Sequence, residues 1–119
     1  MPAERAIDEA AALDLDHLAR QTLGDGALQR EVLGLFVREL ETAAAALADG
    51  DADTRRALAH RLKGAARGVG AGAVAAAAAA LEAAPGEAEL AVELTRRMAA
   101  AAGFIAERGL CGAGASRPG

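Results

Sequence analysis

Aromatic residues are nearly absent from this chain, whose 119 residues include no tryptophan, no tyrosine and two phenylalanines. Strands favour aromatic and β-branched side chains, whereas alanine, leucine and arginine favour helices. Hydrophobic residues make up 53% of the chain, but alanine supplies much of that share and buries little apolar area per residue. The composition therefore predicts an all-α fold of modest stability, and the length suffices for one domain.

Other features are scarce as well. The single cysteine, Cys111, cannot form an internal disulfide, which favours a reducing compartment. No apolar run reaches the length of a membrane span, and the N-terminus lacks a basic region followed by an apolar segment. The net charge of −4 argues against nucleic acid as a partner. We therefore expect a cytoplasmic protein that binds neither membranes nor nucleic acid.

Apolar residues recur at spacings of three and four, as in amphipathic helices. Asp14 or Asp16 can cap a short first helix that ends at Gly24, and Asp25 can cap a long second helix that ends near Ala48. Three more helices are predicted, at about 51 or 53 to 69, 73 to 84 and 87 to 109. The glycines at 68, 70 and 72 and the pair Pro85-Gly86 mark the connections between them.

Helices with short connections pack antiparallel. The predicted fold is an antiparallel four-helix bundle with a short additional N-terminal helix. Its predicted domain limits are an N-terminal extension over 1–12, the bundle over 13–110 and a flexible C-terminal tail over 111–119. The predicted core consists of the larger apolar residues, namely Leu28, Val32, Leu35, Phe36, Leu40, Leu47, Leu58, Leu62, Val69, Leu81, Leu90, Leu94, Met98 and Ile105.

The third helix carries an unusual histidine. At 100° per residue, Leu58, Leu62, Ala65 and Val69 form an apolar stripe, and His60 lies roughly opposite that stripe. An exposed imidazole is largely neutral near pH 7 and is nucleophilic. We therefore expect His60 to face water and to be available for chemistry.

The neighbours of His60 are also unusual for this chain. Lys63 is the only lysine among 13 basic residues, and a lysine is a compact point charge where an arginine is a planar fork. Gly64 occupies a small helical position that the chain elsewhere fills with alanine, and its missing methyl clears the approach to the imidazole. Arg56 and Arg67 share this side. A nucleophile beside cations and open backbone suits chemistry on a phosphoryl group.

The run His60-x-Leu62-Lys63-Gly64-Ala65-Ala66-x-x-Val69-Gly70-Ala71 resembles the signature of histidine-containing phosphotransfer (HPt) domains. These domains are small helical bundles that carry phosphoryl groups in phosphorelays. Similarities outside the motif extend the resemblance over about residues 13 to 110. The resemblance implies a phosphorelay intermediate that accepts a phosphoryl group on His60 from a phospho-aspartyl receiver domain and passes it to another receiver.

The resemblance also implies roles for single residues. Nε2 of His60 would be the phosphoacceptor atom, Lys63 would lie over the phosphoryl oxygens, and Gly64 would let the partner approach closely. Arg67 adds positive field, and Arg56 is a candidate partner contact. The supporting position at which some relatives place a polar side chain on the imidazole is occupied by Glu82.

The implied partners are response-regulator receiver domains and a hybrid or sensor histidine kinase. The receiver would supply the aspartate and a Mg²⁺ ion, so this chain needs no metal and no cofactor of its own. No phosphate-binding glycine loop is present, and therefore no autonomous kinase activity is expected. We expect the chain to act as a monomer.

Two alternatives come from other classes of protein. The first is a non-catalytic helical interaction module that binds and inhibits a kinase or receiver, with His60 incidental. The second is an alanine-rich structural bundle with no phosphorelay role, which nothing in the motif supports. A metal site built from His17 and His60 is disfavoured, because the two histidines lack the spacing of metal ligands.

Overall fold

The computed structural model describes residues 12–110, which contain five α-helices and no strand. In chain order these are α1 (Leu15–Gln21), α2 (Gly26–Asp49), α3 (Ala52–Val69), α4 (Gly72–Ala83) and α5 (Ala88–Glu107). The predicted all-α fold is confirmed. The predicted tail, with Cys111, and all but the last residue of the predicted N-terminal extension lie outside the described residues.

Helices α2 to α5 form the bundle. Each packs against the next along the chain, α5 packs back on α2, and α1 packs against α3. The connections from α2 to α3 and from α3 to α4 contain two residues each, Gly50-Asp51 and Gly70-Ala71. Connections this short force consecutive helices to run antiparallel.

Aspartate side chains begin the first three helices. Asp14, Asp25 and Asp51 each accept a hydrogen bond from the backbone N–H three residues later, at 3.1, 3.1 and 2.9 Å. Each bond satisfies one of the N–H groups that the first turn of a helix leaves without a partner. Of the two candidates predicted for α1 and for α3, the caps are therefore Asp14 and Asp51, not Asp16 and Asp53.

The first helix ends earlier than predicted. It stops at Gln21 instead of Gly24, and the hydroxyl of the C-cap residue Thr22 donates to the carbonyl of Leu18 at 2.8 Å. Leu23 and Gly24 follow with φ values of 54° and 78°, outside the helical range.

Gly70 is the only one of the three clustered glycines that lies between helices. Gly68 is still in α3, and Gly72 is the first residue of α4. Gly70 has φ of 85°, and a Cβ there would lie 2.9 Å from the carbonyl oxygen of Asp14. The backbone N–H of Asp14 donates to the Gly70 carbonyl at 2.8 Å. This turn therefore requires glycine and ties α1 to the end of α3.

Most of the predicted core is buried, but two of its residues are exposed. Leu28 is 40% exposed and Leu35 is 56% exposed, whereas Leu33, which was not predicted, is buried. At 100° per residue Leu33 lies within about 20° of Leu40, while Leu28 and Leu35 lie about 120° and 140° from it. The buried stripe of α2 is thus a second apolar stripe, adjacent on the helix surface to the one predicted. Val32, Leu58 and Leu90 are half-buried.

The buried face of α3 is also rotated relative to the prediction. The buried residues are Ala59, Leu62, Ala66 and Val69, while Leu58 and Ala65 are half-buried. The reason is the alanine-rich helix α4, whose buried face consists of Val74, Ala75, Ala78 and Leu81. Side chains this small give α3 a close surface on which to bury its own alanines. The rotation brings the flank of α3 that carries His60 towards α4.

Candidate functional site

His60 lies near the middle of α3, and its side chain is 70% exposed. Its Nδ1 atom is 2.9 Å from Oε2 of Glu82, near the end of α4. The imidazole therefore projects into solvent while one of its two nitrogens is held by the neighbouring helix.

Glu82 joins two residues of α3. Its other oxygen, Oε1, lies 2.7 Å from Nζ of Lys63. The carboxylate is 25% exposed and the lysine side chain 22% exposed. One partly buried carboxylate thus bridges the imidazole and the ammonium group, which lie three residues apart on α3.

These contacts set the protonation of the site. The ammonium group of Lys63 at 2.7 Å, followed by the hydrogen bond from His60, lowers the pKa of Glu82 below its ordinary value of 4.5. The carboxylate is therefore ionised near neutral pH and can only accept hydrogen bonds. Nδ1 of His60 must then be the donor, and in the neutral ring the lone pair lies on Nε2.

Lys63 differs from its predicted setting. The sequence placed it on the open side of α3 beside His60, but the structure shows a half-buried side chain paired with Glu82. Its position follows from the rotation of α3, which turns this flank towards α4. The ammonium group remains next to the imidazole but is shared with the carboxylate.

Gly64, Arg67 and Arg56 lie on the exposed part of the same face. A Cβ at Gly64 would meet no atom within 4 Å, so this position is open space one turn from His60. Arg56 forms a 3.6 Å ion pair with Asp53 in which both side chains are exposed. Arg67 has no ion pair or side-chain hydrogen bond to any of residues 12–110.

His17 lies elsewhere. It is on α1 beside the Gly70 turn, where a Cβ on Gly70 would come within 3.2 Å of the His17 ring. Gly70 is ten residues beyond His60, or about 15 Å along α3. Within residues 12–110, no three His, Cys, Asp or Glu side chains are grouped so that they could hold a metal ion.

An apolar cleft of about 350 Å³ runs between α2 and α3. Its lining includes the exposed Leu35, the half-buried Leu58 and Arg61, the residue that follows His60. The guanidinium of Arg61 crosses to Glu39 at 3.4 Å. The mispredicted core residue Leu35 therefore lines a cleft between α2 and α3.

Sequence reasoning missed the contact between Glu82 and Lys63. A signal was present, because Glu82 is the only charged residue in α4, an otherwise apolar helix. A lone carboxylate in such a helix needs a partner when it is partly buried. The nearest basic side chain of the packed neighbour provides that partner.

A family model described as the Hpt domain matches residues 31–104, which include all of α3 and α4 and most of α2 and α5. No curated protein and no solved structure gives a match. None of the helices in residues 12–110 has the length and apolarity that crossing a membrane requires. The chain belongs to the Hpt domain family, whose members transfer phosphoryl groups through a histidine in two-component phosphorelays.

Proposed function

We propose that His60 accepts a phosphoryl group from the phospho-aspartate of a receiver domain and passes it to a second receiver. Hpt domains in general interact with receiver domains and histidine kinases. The observation that carries the proposal is the pairing of Nδ1 of His60 with Glu82, since in the neutral ring it leaves the lone pair on Nε2 of an exposed imidazole.

Phosphoryl transfer depends mostly on positioning and on stabilisation of the charge on the transferred group. The contact at 2.9 Å between Nδ1 and Glu82 fixes the ring from one side, so that Nε2 points away from α4. Lys63 and Arg67 supply positive charge on the same helix. Lys63 is adjacent to the ring but tied to Glu82, whereas Arg67 is exposed two turns further along α3.

The surface around His60 is suited to a partner that approaches closely. Gly64 presents bare backbone one turn from the ring, and the cleft between α2 and α3 that contains Leu35 and Leu58 offers apolar area on another side of α3. We propose that a receiver domain docks over both, with Arg56 at the edge of its footprint. The receiver contributes the aspartate and the Mg²⁺ ion, and this chain contributes no metal or cofactor.

The test is transfer from a phosphorylated receiver domain in the presence of Mg²⁺. We expect phosphate on His60 that is labile in acid and stable in base, located by mass spectrometry. His60→Gln should reduce the phosphate taken up to background, while the free energy of unfolding changes by about 0.5 kcal/mol or less, as is usual for surface substitutions. His17→Gln serves as the matched histidine control and should still take up phosphate.

Two results would count against the proposal. If His60→Gln accepts phosphate as fast as the unmodified chain, the phosphoacceptor is another residue. If the receiver binds but no phosphate is transferred under any condition, the chain acts as a non-catalytic interaction module.

A further inference from the structure

We infer, building on the proposed function, that Glu82 allows His60 to gain and lose the phosphoryl group without moving a proton. In this scheme Nδ1 keeps its hydrogen throughout, and the carboxylate of Glu82 balances the positive charge that the ring carries while it is phosphorylated. Glu82 thus sets how readily the phosphoryl group leaves His60.

The geometry supplies the two contacts that this scheme needs. Oε2 of Glu82 faces Nδ1 of His60 at 2.9 Å, and Oε1 faces Nζ of Lys63 at 2.7 Å. Lys63 holds the carboxylate in its ionised form, so that an anion and not a neutral acid faces the ring. The side chain of Glu82 is only 25% exposed, so water screens its interaction with the imidazole less than on an open surface.

The step balances with the proton in place. The lone pair of Nε2 attacks phosphorus, the Nε2–P bond forms, and the bond from phosphorus to the receiver aspartate breaks with its electron pair returning to the carboxylate. The ring now has a hydrogen on Nδ1, phosphorus on Nε2 and one positive charge. When the phosphoryl group leaves, the Nε2–P electron pair returns to the ring, which departs as neutral imidazole.

Loss of the Nδ1 proton would change the leaving group. The phosphorylated ring would then be neutral, and cleavage of the Nε2–P bond would release an imidazolate anion. Imidazolate is a far poorer leaving group than imidazole, so the phosphoryl group would be trapped on His60. Retaining the proton is therefore a requirement for fast onward transfer.

The charges around the ring explain why a carboxylate is needed. The other charged side chains on the face of α3 that carries His60 are mostly cationic, and they disfavour a positive charge on the imidazole ring. The contacting group from α4 is the anion Glu82. The charged residues of α3 on the face of His60 are Asp53, Arg56, Lys63 and Arg67.

The substitution Glu82→Gln separates charge from position. The amide oxygen of glutamine can still accept a hydrogen bond from Nδ1–H, so the neutral ring keeps its tautomer. The negative charge is lost. Glu41→Gln removes the same charge from an exposed position on α2 that has no ion pair or side-chain hydrogen bond to residues 12–110, and it is the matched control.

The experiment measures transfer from phosphorylated His60 to an excess of unphosphorylated receiver over a range of pH. Each rate is divided by that of the unmodified chain at the same pH, so that the pH response of the receiver cancels. We expect the transfer rate of Glu82→Gln to begin to fall at a pH about one unit or more below the pH at which the rate of the unmodified chain falls. A shift of this size is the usual effect of removing an adjacent opposite charge. Above that pH the ratio should drop by about tenfold per unit until the unmodified chain also loses the proton.

Hydrolysis of the phosphorylated protein without a receiver provides a second readout. It should slow in Glu82→Gln in the same pH range, whereas Glu41→Gln should match the unmodified chain in both assays. A Glu82→Gln profile that coincides with that of the unmodified chain would overturn the inference and leave the proposed function intact. Failure of the unmodified chain to take up phosphate would instead overturn the proposed function.

A measurement on the unmodified chain covers the case in which Glu82→Gln does not fold. Titration of phosphorylated His60 by ¹⁵N NMR should show Nδ1 holding its proton to a pH higher by about one unit or more than in phosphohistidine free in solution. Loss of the proton at the same pH as in free phosphohistidine would contradict the inference.

Discussion

Two glutamates of this bundle each hold two basic side chains, but with different consequences. Glu82 on α4 contacts His60 and Lys63 of the neighbouring helix. Glu93 on α5 contacts Arg96 and Arg97 of its own helix, at 2.8 and 2.7 Å. Both clusters contain one carboxylate at hydrogen-bond distance from two groups that can carry positive charge.

The difference between them lies in what the contacts fix. The Glu93 pairs have the spacings i,i+3 and i,i+4, which bring side chains together on the surface of any helix and contribute about 0.2–0.5 kcal/mol each. The Glu82 contacts exist only because α3 packs on α4 in one rotation. The Glu93 cluster is therefore a local stabilising feature, whereas the Glu82 cluster converts the packing of two helices into a fixed tautomer at an exposed nucleophile.

The largest difference between the two clusters should appear when their carboxylates are removed one at a time. Glu82→Ala should slow phosphate uptake by on the order of tenfold or more, because a carboxylate that holds a histidine tautomer contributes at least that much in the Ser-His-Asp arrangement. Glu93→Ala should leave uptake unchanged. Initial rates with the same phosphorylated receiver measure both, and equal slowing in the two variants would erase the distinction between the clusters.

A smaller effect should follow from filling the open space at Gly64, beside the Glu82 cluster. Gly64→Gln places a side chain about 5–6 Å from the Cβ of His60, where the partner would dock, and should slow transfer several-fold. Gly68→Gln makes the same change one turn further along α3, at a position equally free of contacts, and should slow it less.

Stability should show that position 64 acts on access and not on the fold. Gly64→Ala should raise the free energy of unfolding by up to about 1 kcal/mol, since alanine is the better helix former. Thermal denaturation followed by circular dichroism measures this. Transfer by Gly64→Gln at the rate of the unmodified chain would show that the glycine has no part in docking.

The smallest effect concerns stability at low pH. The pKa values of Glu82 and Asp51 are lowered below their ordinary values of 4.5 and 3.8, the first mainly by Lys63 and the second by the backbone N–H of Thr54. A carboxylate with a lowered pKa stabilises the folded state above its unfolded-state pKa, and that contribution is lost as the pH falls through the folded value. Acid should therefore weaken both contacts.

Urea denaturation at a series of pH values tests this. The difference in free energy of unfolding between the unmodified chain and Glu82→Gln should be constant above about pH 5 and should shrink below the ordinary pKa of 4.5. Glu93→Gln gives the reference for replacing a glutamate whose partners lie on its own helix. A difference that grows as the pH falls would show that Glu82 is not stabilised in its ionised form.

The sequence allowed local features to be predicted better than the rotation of helices. The cap at Asp25, the end of α3 at Val69 and the ends of α2 and α5, within two residues, follow from chemistry within a few residues of each site. The choice between Leu33 and Leu35 does not, because Leu33 continues the spacing of Leu40 and Leu35 continues that of Leu28, so that α2 offers two neighbouring apolar stripes. Packing against the other helices decides between them.

The site divides in the same way. The exposure of His60 and the openness at Gly64 follow from positions on one helix, and they could be read from the spacing of apolar residues. The pairing of Lys63 with Glu82 joins residues 19 positions apart on two helices, and it depends on the small side chains that let these helices approach. Only the resemblance pointed to Glu82, and its place as the lone charge of an apolar helix indicated that it needs a partner without identifying Lys63.

The central claim is that Glu82 holds the Nδ1 proton of His60 and leaves Nε2 free to carry phosphate. The most direct measurement is ¹⁵N NMR of the His60 ring at neutral pH, before and after phosphorylation by a receiver domain. We predict a proton on Nδ1 in both states and phosphorus bonded to Nε2 in the second. A ring that carries its proton on Nε2 in the free protein, or its phosphorus on Nδ1, would contradict the account.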